Sequence, residues 1–583
     1  MLDNISSPAD IKNLSIEKLQ LLAEEIRQHI ILATSRYGGH LASNLGVVEL
    51  TIALHYIFHS PDDKLIWDVS HQTYTHKILT GRKDRFIGFS NPDESEHDLF
   101  RLGHTSSAIG LACGLAKSRE LSGDAYDIIA VIGDAALDGG PAFEGLNICR
   151  ELNGRVIIVV NDNQMSIPEN YGGLHRHLQR LRSTALEEKD NFFRSLGFEY
   201  HFIPDGHDIK SLVSVFREVA CNPDGRPVLV HVCTQKGHGY AHAEKEPEKW
   251  HWTRPFDIQA GTFKTEVSAS NYGTIVGDYL LEKMRRDPKL VVVTASTPIC
   301  IGFDEEHRQA AGRQYLDVGI AEQNAVLMAA GLARAGMHPI FATNSTFLQR
   351  AYDQIENEVC INRLPVVFIV THGGVFGHGN DTHAGLYDIP LLSHIPNLTY
   401  LAPAYKEEYL AMLDWSIGGG ANGPVAIRVP WTGVYTSGIV SQKQFNTPIY
   451  RSMQNGSDVA ILALGSFFQL GKSVSEELSR NGIHPTLINP LFITGYDMES
   501  LDCIAKDHRL LVTLEDGVTD GGFGAHIASY YSSGGPHVLI FGVHPPVPAY
   551  FTATELLDKN GLSVSSICAK ILDTLRYIQG SPA

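Results

Sequence analysis

Nine short apolar runs, each closing on a small or polar residue, decide most of what this chain can fold into. DIIAVIGD (127–134), RVIIVVND (155–162) and PVLVHVCT (227–234) form a first group. LVVVTA (290–295), HPIFAT (338–343) and LPVVFIVT (364–371) form a second, and DVAILALG (458–465), HPTLIN (484–489) and RLLVTLED (509–516) a third. Runs of this length, apolar without alternation, read as parallel strands covered on both faces, with helical stretches between them. The three groups predict three doubly wound α/β domains. Polar or Pro/Gly-bearing stretches near 255–270 and 432–450 place the domains at 1–262, 263–445 and 446–583. A chain of 583 residues is too long for one core at about 100–200 residues per domain.

Charge narrows the function classes. Lys and Arg number 47 against 65 Asp and Glu, a formal charge of −18. That surface lacks the basic footprint of a nucleic-acid or anionic-membrane binder. It leaves room for a phosphorylated ligand held by a few local groups. The eight cysteines are scattered with no CxxC pair, which reads as reduced thiols and not as a disulfide framework or zinc site. From Ser15 onward IEKLQLLAEEIRQHIILA is an amphipathic helix, no signal peptide is evident, and no apolar run approaches spanning length. The expectation is a soluble, cytoplasmic protein.

Chemistry concentrates at the ends of two predicted strands. Gly133-Asp134-Ala135-Ala136 closes one, and Asn161-Asp162-Asn163 closes the next. Open α/β sheets place ligands at such ends. Asp134 and Asn163 offer a carboxylate and an amide oxygen, which suit Mg²⁺ with phosphate oxygens completing its shell. Either cluster alone is an ordinary turn.

GDAALDGGPAFEGLN running to VNDNQMSIPEN resembles the metal-binding signature of thiamine diphosphate enzymes, with Ala135 where the signature has glycine. GGHLASNLGVVELTIALHY, LIWDVSHQTYTHKILTGRKDRF, AEKEP, DVGIAEQNAV, STFLQRAYDQ and the Thr382-His383 pair extend the likeness across nearly the whole chain. Together they resemble the 1-deoxy-D-xylulose-5-phosphate synthase family of the transketolase-like superfamily. The resemblance implies a diphosphate-binding, an aminopyrimidine-binding and a transketolase-like C-terminal domain, in a homodimer. It implies thiamine diphosphate and Mg²⁺ as cofactors, with a 2-oxo acid and a carbonyl acceptor as substrates. Metal ligands would be Asp134, Asn163 and Met165. Cofactor contacts would come from His71, Gly103, His104, Thr105, Ser106, Gly133, Ala135, Ala136, Ile167, Lys236, Phe347 and Arg350. A turn that opens a helix also offers amides to an anion. Glu322 would face the aminopyrimidine, and His40, His251, His383 and Tyr240 would surround the reactive carbon, histidines being suited to proton transfer near neutrality.

The acceptor side departs from the family. His372 and Leu491 stand where arginines that grip a phosphate are expected, Pro430-Trp431-Thr432 where Pro-Arg-Gly is usual, and Asn344 where tyrosine is. Gly379 replaces a loop aspartate, with Asp381 two residues on, and the segment after Asn170 is several helical turns short. Two lost charge-assisted bonds at about 1.5–3 kcal/mol each amount to on the order of 10²–10⁴ in affinity. Arg428 and Arg363 are the candidate replacement cations. The sequence therefore points to a carboligase that decarboxylates pyruvate and adds the fragment to a neutral aldehyde or 2-oxo acid. Beside it stand a true family member acting on glyceraldehyde 3-phosphate, a ketol transfer without CO₂ release, and a cofactor-binding paralogue without activity.

Overall fold

All nine predicted strands form. The structure is a computed structural model describing residues 1–152, 154–184, 190–222, 225–265, 271–375, 378–431, 433–438 and 442–580. Thr432 and parts of both expected domain junctions, 266–270 and 439–441, lie outside the described residues. The chain divides into two compact units, 1–267 with 319–321, and 268–318 with 322–583.

The first unit is built on β1 (Lys64–Trp67), β2 (Ile128–Gly133), β3 (Ile157–Asp162), β4 (Glu199–Ile203) and β5 (Val228–Cys233), in the order β1-β2-β3-β5-β4. Every pairing is parallel. Along β2 and β3 successive side chains enter different cores: Ile129, Val131, Ile157 and Val159 one, Ile128, Ala130, Ile132 and Ile158 the other. That alternation is the pleat of a sheet buried on both faces. A short antiparallel ribbon, β6 (Phe256–Asp257) with β7 (Thr262–Phe263), follows.

The second unit carries two sheets. The first joins β8 (Leu290–Thr294), β9 (Tyr315–Asp317), β10 (His338–Asn344), β11 (Val367–Thr371), β13 (Thr399–Leu401) and β14 (Val425–Arg428), all parallel, in the order β13-β14-β11-β10-β8-β9. The loop after β11 carries β12 (His378–Asn380), which pairs antiparallel with β20 (Tyr550–Thr552). The second sheet is β15 (Arg451–Gln454), β16 (Val459–Ala463), β17 (Pro485–Asn489), β18 (Leu510–Val518) and β19 (His537–Val543), in the order β15-β17-β16-β18-β19, with only β15 antiparallel. One core cluster holds Phe341, Phe368 and Ala426 from the first sheet and Ala460, Leu462 and Leu511 from the second. That shared core makes the two sheets one unit.

Among the described residues no helix is long and apolar enough to cross a membrane. All eight cysteines are free of disulfides.

Candidate active site

In the first unit the parallel register sets Gly133 opposite Asn161, so Asp134 and Asp162 emerge side by side at the carboxyl ends of β2 and β3. Both are 1% exposed. The Asp134 carboxylate accepts the Gln164 N–H at 2.7 Å and the Asn170 amide at 3.0 Å. Burial and the neighbouring Asp162 hold its carboxyl well above the usual range. Burial also opposes ionisation of Asp162, but His231 at 2.7 Å and Arg182 at 3.0 Å outweigh it and keep that carboxyl low. A crowded acidic pair with an amide oxygen beside it fits a divalent cation, whose charge relieves the repulsion. Asn163 shares its Oδ1 with the Met165 N–H at 3.1 Å, which fixes the turn carrying both predicted ligands. Ala135 opens a short 3-10 turn and is not among the positive-φ residues, so its Cβ is accommodated where the signature has glycine.

Three predicted histidines converge. The rings of His40, His71 and His251 lie 5.1, 5.6 and 5.4 Å apart, pair by pair. Burial, then neighbouring cations, hold His40 and His251 well below the usual imidazole range, so both are neutral bases at pH 7. The His251 Nδ1 is buried and has no hydrogen-bond partner among the described residues. Lys236 is brought down to about 8 by burial, against the pull of Asp134, and donates to the Ser166 carbonyl beside Ile167.

Two of the predicted groups in this unit have partners within the protein. The N–H groups of Ser106, Ser107 and Ala108 donate to the buried Asp68 carboxylate at 2.7, 2.9 and 3.0 Å. The helix Ala108–Ser122 is therefore capped from the end of β1, and its first amides are already engaged. Tyr240 packs its ring on Trp250 and Phe256 and donates its hydroxyl to the Ile258 carbonyl at 3.0 Å. Its ring is thus part of the core of this unit.

In the second unit Glu322 begins the helix Glu322–Arg334 and is 3% exposed. Burial raises its carboxyl above the usual range, against the pull of Arg350. Its Oε2 makes no hydrogen bond among the described residues, with the Arg350 Nη1 3.7 Å away. A buried carboxylate oxygen left in this state fits a ring nitrogen as partner. Phe347, after β10, meets His383 edge-on at 5.6 Å, and the Thr346 hydroxyl donates to the Thr382 carbonyl at 3.0 Å. Asp381 lies in the turn closed by the Asn380 Oδ1, which accepts the N–H groups of Thr382 and His383 at 3.0 and 3.1 Å.

The acceptor-side residues separate. His372, at the end of β11, stacks on Trp431 at 4.7 Å and 15° and is pushed down to about 4 by burial. Thr371 links its Nδ1, at 3.1 Å, to the Asn344 Oδ1, at 3.0 Å. Leu491 does not join them: it is fully buried with Phe492 and Phe445 in the core of this unit. Neither replacement cation is available. Arg428 donates its Nε to Asp388 at 2.6 Å and its Nη1 to Asp516, both within the core. Arg363 is exposed at the opposite end of β11, a strand length of about 17 Å from His372.

Residues missed by sequence reasoning include Asp68, Asp162, Arg182 and His231. Asp162 stands between two residues of the Asn-Asp-Asn run, and the burial that sets it apart is a property of the fold.

Residues 2–190 match the model of 1-deoxy-D-xylulose-5-phosphate synthase, 268–434 the transketolase pyrimidine-binding domain and 450–567 the transketolase C-terminal domain. The 1-deoxy-D-xylulose-5-phosphate synthase of Desulforudis audaxviator is 40% identical, covering 97% of this chain and 96% of its own. That of Alkaliphilus oremlandii is 42% identical, covering 89% and 90%. A solved transketolase from Leishmania mexicana is 16% identical over 97% of this chain and 98% of its own, with a TM-score of 0.46. On the full-length identity to these synthases, the chain belongs to the 1-deoxy-D-xylulose-5-phosphate synthase family.

Proposed function

We propose that this chain decarboxylates pyruvate and transfers the two-carbon fragment to a neutral aldehyde or ketone, giving an acyloin. Enzymes of this family are two-carbon transferases that use thiamine diphosphate and a divalent metal ion. When bound, the cofactor supplies a nucleophilic carbon and an electron sink for the bonding pair that stays behind when CO₂ departs. Asp134, Asn163 and Met165 would hold the metal, and Lys236 with the His71 and Gly103–Thr105 groups the diphosphate. Glu322 would hold a proton at the aminopyrimidine nitrogen, a role suited to a carboxyl that burial has raised. His40 and His251, neutral at pH 7, would take and return protons at the substrate oxygens. His383 would serve in proton transfer in the same way. A homodimer is part of the proposal.

The observation that carries the neutral acceptor is the state of His372. Stacked on Trp431 and pushed down to about 4, it offers a phosphate no charge at neutral pH. Arg428 is already shared between two carboxylates, and the Asp388 Oδ1 has no hydrogen-bond partner among the described residues. Full-length identity of about 40% favours a second reading, the phosphorylated acceptor implied by the relatives' name. Steady-state kinetics with pyruvate and either glyceraldehyde 3-phosphate or unphosphorylated aldehydes, with CO₂ measured, separates the two. A strong preference for the phosphorylated acceptor refutes the neutral one, and turnover without CO₂ refutes decarboxylation.

A further inference from the structure

Arg428 lies where two loops of the second unit cross. One runs His372-Gly373-Gly374 from β11, and the other runs His383-Ala384-Gly385 after β12. They are joined as an antiparallel bridge, with the Gly374 N–H donating to the Gly385 carbonyl at 2.6 Å. Nothing larger than glycine fits there. A Cβ on Gly385 would stand 1.8 Å from the His372 carbonyl oxygen, and one on Gly374 would stand 1.9 Å from the Asp516 carboxylate. A Cβ on Gly373 would meet the Arg428 side chain at 2.8 Å. The guanidinium and the Asp516 carboxylate are therefore the floor on which the crossing rests.

The same guanidinium ties its own strand to two stretches far apart in sequence. Its Nη2 donates to the Gly385 carbonyl at 3.3 Å, and its Nε to Asp388 at 2.6 Å, at the head of the helix Asp388–Leu392. Its Nη1 donates to Asp516 on β18, which also accepts the Ser466 hydroxyl. A second tie runs beside it, the Val518 N–H donating to the Leu386 carbonyl at 3.1 Å. The C-terminal sheet thus grips the crossing at two points, although none of the predicted catalytic residues lies on it.

We infer that Arg428 and Asp516 are positioning residues that fix His372 relative to His383, so that the C-terminal sheet governs use of the acceptor through this clamp. The inference rests on the proposed reading that both histidines face the reacting substrates. Arginine is required because its fork reaches two carboxylates and a carbonyl at once, where a lysine ammonium is a single point of charge.

The test compares Asp516→Asn, Arg428→Lys and the milder Ser466→Ala in the full-length protein. Amide hydrogen exchange is read with thiamine diphosphate and Mg²⁺ added, together with acceptor KM and cofactor Kd. Asp516→Asn and Arg428→Lys are expected to speed exchange about tenfold or more across 372–375 and 383–386. Acceptor KM should rise about tenfold, with cofactor Kd within twofold of the parent. If either variant fails to fold, Ser466→Ala carries the test, with a two- to threefold effect at the same two loops. Unchanged exchange at both loops, a uniform rise throughout the second unit, or parental behaviour of Arg428→Lys overturns the clamp. Kinetics are taken as ratios to the parent with whichever acceptor the parent uses. A parent that prefers a phosphorylated acceptor therefore refutes the neutral-acceptor reading alone, and the exchange data still decide the clamp.

Discussion

On the proposed reading, replacing His372 by arginine puts a cation where the acceptor side has none, and the structure sets both sides of the outcome. Burial takes the His372 imidazolium from 6.5 to about 4. At about 1.36 kcal/mol per pH unit, that environment opposes a positive charge by about 3.4 kcal/mol. Arginine cannot shed its proton, so the cost falls on stability, and the substrate-free variant is expected to lose about 2–3 kcal/mol, read by urea unfolding. Stacking on Trp431 is retained in kind, since a guanidinium also lies flat on an aromatic face. A bound phosphate would then be met by a charge-assisted bond contributing about 1.5–3 kcal/mol. The kcat/KM ratio for glyceraldehyde 3-phosphate over glyceraldehyde should rise about 10- to 150-fold. The assay follows CO₂ release from pyruvate at pH 7.5 with each aldehyde. A ratio in His372→Arg equal to the parent's would refute the placement of His372 beside the acceptor. A parent already selective for the phosphorylated aldehyde by more than about 10² would refute the claim that the site lacks a cation.

Glu322→Gln removes the buried acid and should lower kcat by about 10²–10⁴ with cofactor affinity, followed by fluorescence quenching, changed by less than tenfold; parental kcat would sink its assignment. His372 also makes stability depend on pH: its depressed value contributes stability that is complete above about 6.5 and lost as pH falls through about 4. At pH 5.5 the loss is about 1.4 kcal/mol, and His372→Asn should abolish that component of the urea-midpoint profile. Asp134→Asn should raise the melting temperature without metal, since it replaces one of two adjacent buried carboxylates by a neutral amide. It should also abolish the rise that Mg²⁺ with thiamine diphosphate gives the parent. Leu491→Arg buries a charge in a fully enclosed apolar site and should destabilise by more than about 3 kcal/mol. Added to His372→Arg, it should bring no further preference for a phosphorylated acceptor in the same kinetic assay.

The central strands were legible because a strand covered on both faces has to be apolar at consecutive positions, and β2, β3 and β11 are. Strands at sheet edges escaped that signal. β4 alternates polar and apolar residues, and β19 is exposed at its start, so neither stands out as a buried run. β14 escaped for a different reason: it ends on Arg428, which reads as a strand terminus or surface residue until its partners are known. Those partners lie 40 and 88 positions away. The cofactor side was readable in the same local sense, because Asp134, Asn163 and Met165 come from two strand-end turns whose residues are contiguous in sequence.

The acceptor side was not, and the two family arginines illustrate why. In sequence their replacements look equivalent, one histidine and one leucine in place of two cations. In the fold they are opposites. His372 stays at a strand end beside Trp431, where a substitution changes what a substrate meets. Leu491 has joined a core with Phe445 and Phe492, so that its position is filled by packing and not left as an empty charge site. A cation could be restored at the first position at a cost the protein can bear, and not at the second without dismantling the core. On the proposed reading, the charge missing from the acceptor side is therefore compensated in structure and not in charge. Arg428, the one buried guanidinium in that region among the described residues, is held by Asp388 and Asp516 at the loop crossing, and so cannot serve both the fold and a phosphate.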